Sequence, residues 1–333
     1  MNQINLNNKE YDVIIVGAGF SGLYQLICLR DQLGMNCLVL ETGDDVGGTW
    51  YWNRYPGARC DTESHAYSYY FSDELLKEWT WSERYPGHAE IRRYMNFVAN
   101  KFDLKKDILF NHKVTSAHFN QDKICWEVRI NNKISLKSKF LITAVGCLSN
   151  ANIPKIKGLE NFKGKYYHTG NWPKNGVSFV NKKVGQIGTG STGIQAVPVI
   201  AEEAKHLTVF QRTANYSVPA RNKPLTENFK SHVKEKFKYY RELLKKTPNG
   251  HPFEISDRLV ADFEEKEMQE IYEKAWEKGG LQFRGSFSDL VTNVEANKTA
   301  SDFIKNKINE TVLNKNSISF SMTRFGIIRI EKI

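Results

Sequence analysis

At 333 residues the chain is long enough for two domains, each with a core of its own. Hydrophobic residues make up 41% and charged residues 25%, an ordinary soluble balance, and no apolar run approaches the length of a membrane-spanning helix. The formal net charge of +10 comes mostly from lysines interleaved with Glu and Asp, and no recognised binding motif accompanies it, so neither nucleic acid nor membrane is expected as a partner.

The polar start, Met1 to Glu10, lacks the pattern of a signal peptide, and the expected compartment is the cytoplasm. The five cysteines, Cys28, Cys37, Cys60, Cys125 and Cys147, are scattered and odd in number. That spacing argues against a zinc site, a disulfide framework and a redox-active pair, and free thiols are expected.

Tyr11-Asp12-Val13-Ile14-Ile15-Val16 is a short apolar run that ends directly on Gly17-Ala18-Gly19-Phe20-Ser21-Gly22. A helix apolar on most faces is predicted from Leu23, and Cys37-Leu38-Val39-Leu40 forms a second strand closed by Glu41. This strand, glycine loop, helix and strand make a dinucleotide-binding unit. Gly17 permits the tight turn, Gly19 lets the backbone approach a pyrophosphate, and Gly22 lets helix and strand pack closely. Glu41 stands nineteen residues after Gly22, where a carboxylate can accept hydrogen bonds from a ribose diol.

Gly47 to Gly57 is too rich in glycine, aromatics and turn formers for a regular element. Asp61 precedes Thr62-Glu63-Ser64 and reads either as a helix N-cap or as a functional acid. Asp73 to Asp103 reads as two helices around Pro86-Gly87. Ile108-Leu109-Phe110 and Val114 are strand candidates, followed by a hairpin about Asn131-Asn132. Phe140 to Gly146 reads as a buried strand with a small-residue end.

Lys183 to Ile187 enters a second loop, Gly188-Thr189-Gly190-Ser191-Thr192-Gly193. Ile194 and Gln195 open its helix, which runs to Ala204, and Leu207 to Phe210 is the next strand. Nineteen residues after Gly193 stands Arg212, followed by Thr213. A guanidinium in that slot suits a 2′-phosphate, so the second nucleotide is expected to be NADPH. From Asn222 the sequence turns helical and polar, with breaks at Asn249-Gly250 and Gly279-Gly280, and Trp276, Phe283 and Phe287 are expected in its core. The basic stretch Lys230 to Lys246 reads as a solvated helix face.

Between the two loops lies Phe162-Lys163-Gly164-Lys165-Tyr166-Tyr167-His168-Thr169-Gly170-Asn171-Trp172-Pro173. Its bland reading is a linker whose aromatics pack on a core and whose His caps a turn. Flanked by two glycine loops, the pattern Phe-x-Gly-x-x-x-His-x-x-x-Trp-Pro resembles the fingerprint of the type I Baeyer–Villiger monooxygenases. The related monooxygenases acting on nitrogen and sulfur carry Tyr where Trp172 stands. The resemblance covers roughly residues 10 to 312. It implies an α/β fold of two Rossmann-type units, for FAD and NADPH, with a helical insertion and an incomplete FAD unit. The implied divisions are 1–147 (FAD domain), 148–182 (linker), 183–312 (NADPH domain, insertion 222–312) and 313–333.

What the resemblance implies about sites is specific. Gly17, Gly19, Phe20, Ser21, Gly22, Glu41, Gly48, Thr49, Trp50, Tyr51 and Val114 fall on FAD-contacting positions. Arg59, Asp61 and Tyr67 fall near the face where flavin meets nicotinamide. Thr189, Gly190, Ser191, Thr192, Gly193, Ile194, Gln195, Arg212 and Thr213 fall on NADPH, and Asp61, His168 and Trp172 are the catalytic candidates. The implied reaction inserts oxygen from O₂ beside a ketone carbonyl, giving an ester or lactone. Two rivals stand beside it: oxidation of an amine or sulfide, and a non-catalytic nucleotide-binding remnant. The second rests on Leu313 to Ile333, which do not resemble the family, so Arg324 and Arg329 cannot be mapped onto its catalytic Arg, and the chain is expected to be a fragment that holds FAD weakly.

Overall fold

A computed structural model of the chain describes residues 7–213, 215–311 and 326–331. They fall into two compact units, Met1–Tyr55 with His88–Gly176 and Pro56–Gly87 with Val177–Ile333.

The first unit begins with β1 (Glu10–Val16), α1 (Phe20–Ile27), β2 (Cys37–Leu40) and the single turn α2 (Thr49–Trp52). After α3 (Asp73–Glu78), which belongs to the second unit, follow α4 (His88–Lys101), β3 (Ile108–Leu109), β4 (Val114–Asn120), β5 (Cys125–Ile130) and β6 (Ile134–Thr143). Their sheet runs β3-β2-β1-β6-β5-β4. The strands β3, β2, β1 and β6 are parallel, with Ile15 beside Val39 on one side and Ile142 on the other. The unbroken apolar run of β1 follows from that central position, since both faces of Val13, Ile14 and Ile15 are covered. The remaining strands are an antiparallel meander whose turn holds Asn131 and Asn132 at positive φ, with Lys133 N–H donating to Ile130 C=O. Val128, Ile130 and Leu136 carry the core of β1 and β2 into the meander.

One expectation needs correcting here. Phe140 to Gly146 is not a separate buried strand: Ile134 to Thr143 form one continuous β6, and Phe140 is 56% exposed. The pairing explains it. The register of β5 ends at Ser138, so beyond that point β6 is paired with β1 alone among the described residues.

The second unit contains β7 (Lys183–Ile187), α5 (Ser191–Glu203) and β8 (His206–Gln211), with β7 parallel to β8. A short β9 (Gly326–Glu331) is antiparallel to β8, and the rest of the stretch from 312 onward lies outside the described residues. The helical part comprises α6 (Glu227–Glu235), α7 (Phe237–Lys246), α8 (Glu265–Lys278) and α9 (Val294–Thr311). Asn249 and Gly250 both take positive φ, as the predicted break requires. The basic stretch is two helices, with Phe237 buried and Lys236, Lys238, Lys245 and Lys246 exposed. Tyr272 is fully buried at the centre of an aromatic cluster, its ring 5.3 Å from Phe283 and Phe287 and 5.4 Å from Phe303. Phe283 and Phe287 are therefore core residues as expected, with Trp276 packed at the edge of the cluster. The segment before α4 is tied to the helical part: Glu83 bridges Pro224, and Asn222 pairs with the Tyr85 N–H and the Glu83 carboxylate.

Candidate nucleotide sites

In the first unit the chain leaves β1 at Gly17, whose φ of +105° is left-handed. A Cβ there would lie 2.6 Å from the Ala144 carbonyl oxygen, and one on Gly22 would lie 1.9 Å from that of Gly17. Any side chain at either position would break the turn. The N-cap of α1 is Gly19, with φ −87° and ψ −169° and no side chain capping it. The first N–H groups of α1 are thus left to an outside acceptor, and the helix dipole favours an anionic one. Gly48 approaches the same loop so closely that a Cβ on it would stand 2.8 Å from the Gly19 Cα.

Glu41 is only 5% exposed. Its Oε2 accepts from Ala18 N–H and its Oε1 from Gly43 N–H, each at 2.7 Å. The carboxylate therefore fixes the glycine loop, and each oxygen keeps a lone pair for a further donor. Thr49, Trp50 and Tyr51 form α2, and the Tyr51 hydroxyl donates to Asp44 Oδ1 at 2.6 Å. Arg54, Arg92 and Lys174 all approach the Tyr51 ring, and Lys174 also pairs with Asp44. Phe20 opens α1 with its ring 6.1 Å from that of Tyr94, and Ser21 is exposed. Val114 opens β4 opposite Ile130, beside a register shift.

The second loop repeats this geometry. Gly188 has φ +101°, and a Cβ on Gly193 would lie 2.4 Å from the Gly188 carbonyl. Gly190 caps α5 with φ −72° and ψ −174°, again without a side-chain cap. Gln186 steadies the loop by donating to the Gly188 and Gly193 carbonyls at 3.3 and 3.0 Å, a role that no local sequence signal marks. Thr189 Oγ1 donates to Gln211 Oε1 at 3.2 Å. Arg212 and Thr213 follow β8 directly and are exposed, as are Ser191 and Ile194, whereas Thr192 is half-buried.

Arg59, Asp61 and Gln195 are brought together in the second unit. Gln195 Nε2 donates to Asp61 Oδ1 at 2.8 Å and to Arg59 C=O at 3.2 Å, while its Oε1 accepts from Arg59 N–H at 3.3 Å. No helix begins at Asp61, so the N-cap alternative does not hold. Although its surface is exposed, desolvation by the surrounding protein raises the Asp61 carboxyl above the usual carboxylate range, with the Gln195 amide opposing the rise. Tyr67 lies one turn on, its N–H donating to Glu63 C=O.

The fingerprint lies at the end of the first unit. His168 Nδ1 accepts from Gly170 N–H at 3.1 Å and caps the short turn Thr169–Asn171. Trp172 is 9% exposed, with its ring 5.6 Å from Tyr167, whereas Phe162, Tyr166 and Tyr167 are exposed. The capping half of the bland reading is thus met, and the aromatic half is met by Trp172 alone among these four rings. All five cysteines are free, and the described residues contain no group of three or more His, Cys, Asp or Glu able to hold a metal. Among them no helix is long and apolar enough to cross a membrane.

Two glycine loops of one backbone geometry, each on a parallel strand and ahead of an uncapped helix, define a protein with two dinucleotide folds. The pattern described as "FMO-like: Flavin-binding monooxygenase-like" matches residues 10–246. The chain is 42% identical over 306 residues to a Baeyer-Villiger monooxygenase of Pseudooceanicola batsensis, covering 91% of this chain and 56% of that one. It is 44% identical over 308 residues to a cyclohexanone 1,2-monooxygenase of an Acinetobacter species, with the same two coverages. Its fold matches a steroid monooxygenase solved with NADP at a TM-score of 0.89 and 44% identity, over 94% of this chain and 60% of that one. The chain belongs to the flavin-binding monooxygenase-like family. It spans little more than half the length of these curated relatives.

Proposed function

We propose that the chain serves a Baeyer–Villiger monooxygenase, with FAD on the first glycine loop, NADPH on the second, and a ketone and O₂ as substrates. The observation that carries the reading is the pair of matching glycine cradles in a chain 42–44% identical to enzymes named for that activity. The residues present suit the two nucleotides. In both loops a Cβ on the last glycine would strike the carbonyl of the first, and a Cβ on the middle glycine (Gly19, Gly190) would meet nothing closer than 3.4 Å. Both helices start without a cap, which leaves the backbone N–H groups to a pyrophosphate.

When bound, the nicotinamide supplies hydride and the flavin activates dioxygen. The chain's own residues bind and orient. Gly17, Gly19, Phe20, Ser21 and Gly22 would seat one pyrophosphate, with Glu41 on the ribose and Gly48, Thr49, Trp50, Tyr51 and Val114 along the rest of FAD. Thr189, Gly190, Ser191, Thr192, Gly193, Ile194 and Gln195 would seat the other, with Arg212 and Thr213 at the 2′-phosphate. Arg59, Asp61 and Tyr67 would meet the nicotinamide, and Asp61 could hold a proton on Oδ2 while Oδ1 accepts from Gln195. His168 and Trp172 would couple reduction to oxygen use. In domain terms, 1–147 would carry FAD and 183–312 NADPH, joined by 148–182, with the insertion 222–312. The proposal takes the enzyme to act in the cytoplasm on a small-molecule ketone, without nucleic-acid or membrane partners.

The test is to purify residues 1–333 with excess FAD, remove free flavin by gel filtration, and add NADPH without oxygen. A flavin absorption band that bleaches with NADPH supports the reading. A colourless protein that still binds NADP⁺ would reduce it to nucleotide binding alone.

A further inference from the structure

We propose that Gln195 is a positioning residue, whose amide holds the Asp61 carboxylate and the Arg59 backbone to the N-terminal part of the helix that follows the second glycine loop. The proposal deepens the functional reading above and rests on it for the identity of the nucleotide. Gln195 is the fifth residue of α5, whose first turn is the anion-facing end of the loop. Its carboxamide makes three hydrogen bonds to a segment 134 to 136 residues away. The pattern is selective. Oε1 and Nε2 take the Arg59 N–H and C=O together, as a neighbouring strand would, and Nε2 also serves Asp61. A side chain that only bound coenzyme would not need all three.

The backbone supports the same junction. Gly57 has φ +76°, and a Cβ there would lie 2.2 Å from the Gln195 carbonyl oxygen, so the 57–61 segment is pressed onto α5 without room for a side chain. The charged and titratable groups around Asp61 are few. Cys60 is buried, its thiol pushed up to about 12 by desolvation and then by Asp61. The Tyr85 phenol is pushed up to about 12, chiefly by desolvation. The Arg59 guanidinium is turned to Glu83, 3.5 Å away, and to the Tyr85 carbonyl. Among the described residues no cation is bonded to Asp61, and the Gln195 amide donates to it. Removing that donor destabilises the carboxylate form, so the proton affinity of Asp61 should rise.

The experiment reads Asp61 directly. The carboxyl ¹³C shift of Asp61 is followed with pH in the wild-type chain, in Gln195→Ala and in Gln195→Glu, with Asp61→Asn identifying the resonance. The proposal expects an upward shift of the titration midpoint in Gln195→Ala and a larger one in Gln195→Glu, where a second carboxylate faces the first. It also expects saturating NADP⁺ to move the midpoint in the wild-type chain and not in Gln195→Ala. Unchanged midpoints in folded variants would overturn the proposal, whatever coenzyme the loop takes. Shifted midpoints without any response to NADP⁺ would keep Gln195 as the holder of Asp61 and overturn the coenzyme reading of the loop instead. Far-ultraviolet circular dichroism of each variant shows that the fold is retained.

Discussion

Replacing Arg212 by Ala should change which coenzyme the chain prefers and little else. The side chain is exposed, directly beyond β8, and makes no ion pair with any described residue. Its loss therefore removes no packing, and the effect on stability should stay within about 0.5 kcal/mol. A charge-assisted hydrogen bond contributes roughly 1.5–3 kcal/mol. Solvent screening at so exposed a site favours the lower end, because exposed ion pairs are individually weak. A loss of about 1.4 kcal/mol is a tenfold change in affinity. Arg212→Ala should then bind NADPH about tenfold more weakly, with NADH unchanged, since only the former carries the 2′-phosphate. Titration of each coenzyme by its nicotinamide fluorescence measures both affinities on one sample. Equal losses for the two coenzymes would refute the reasoning and make Arg212 a prop of the loop.

The two glycine cradles should fail independently. Gly193→Ala, whose Cβ would meet the Gly188 carbonyl at 2.4 Å, should abolish NADP⁺ binding while flavin is retained; Gly22→Ala should do the reverse, read from flavin absorbance and coenzyme titration. Burial and the nearby Arg84 hold the His65 imidazole below its usual 6.5, despite Glu63. The unfolded chain then takes up the proton first, so stability is full above about pH 6.5 and falls by up to about 1.4 kcal/mol per unit below it. His65→Phe, between the rings of Phe229 and Tyr240, should flatten that fall in urea midpoints measured from pH 7 to 5. Tyr272→Ala should cost about 3–5 kcal/mol by opening a cavity in the aromatic cluster, again seen as a lower urea midpoint.

Both nucleotide units were legible because their signals are local. A strand, a glycine turn and a helix follow one another within a few residues, and the positive φ of Gly17 and Gly188 is a property that glycine alone supplies cheaply. Asn131 and Asn132 announced the hairpin for the same reason. The continuity and exposure of β6 were not legible, because they depend on how far β5 extends beside it. Composition reads a run such as Phe140-Leu141-Ile142 as buried whether or not a neighbour covers it. The two roles offered for Asp61 could not be separated by sequence, since the segment after it forms no helix to cap and its partner Gln195 sits on α5, 134 residues on. His168 shows the converse: its turn-capping bond spans two residues and was foreseeable, while the burial of Trp172 beside exposed neighbours was not.

The most direct test of the monooxygenase reading is the fate of oxygen. The full chain, loaded with FAD and supplied with NADPH and ¹⁸O₂, is given a cyclic ketone and, separately, a thioether, and the products are weighed by mass spectrometry. The account predicts a lactone carrying one heavy oxygen from the ketone. A sulfoxide formed without any lactone, or no oxygenated product from a flavin-loaded chain, would contradict it.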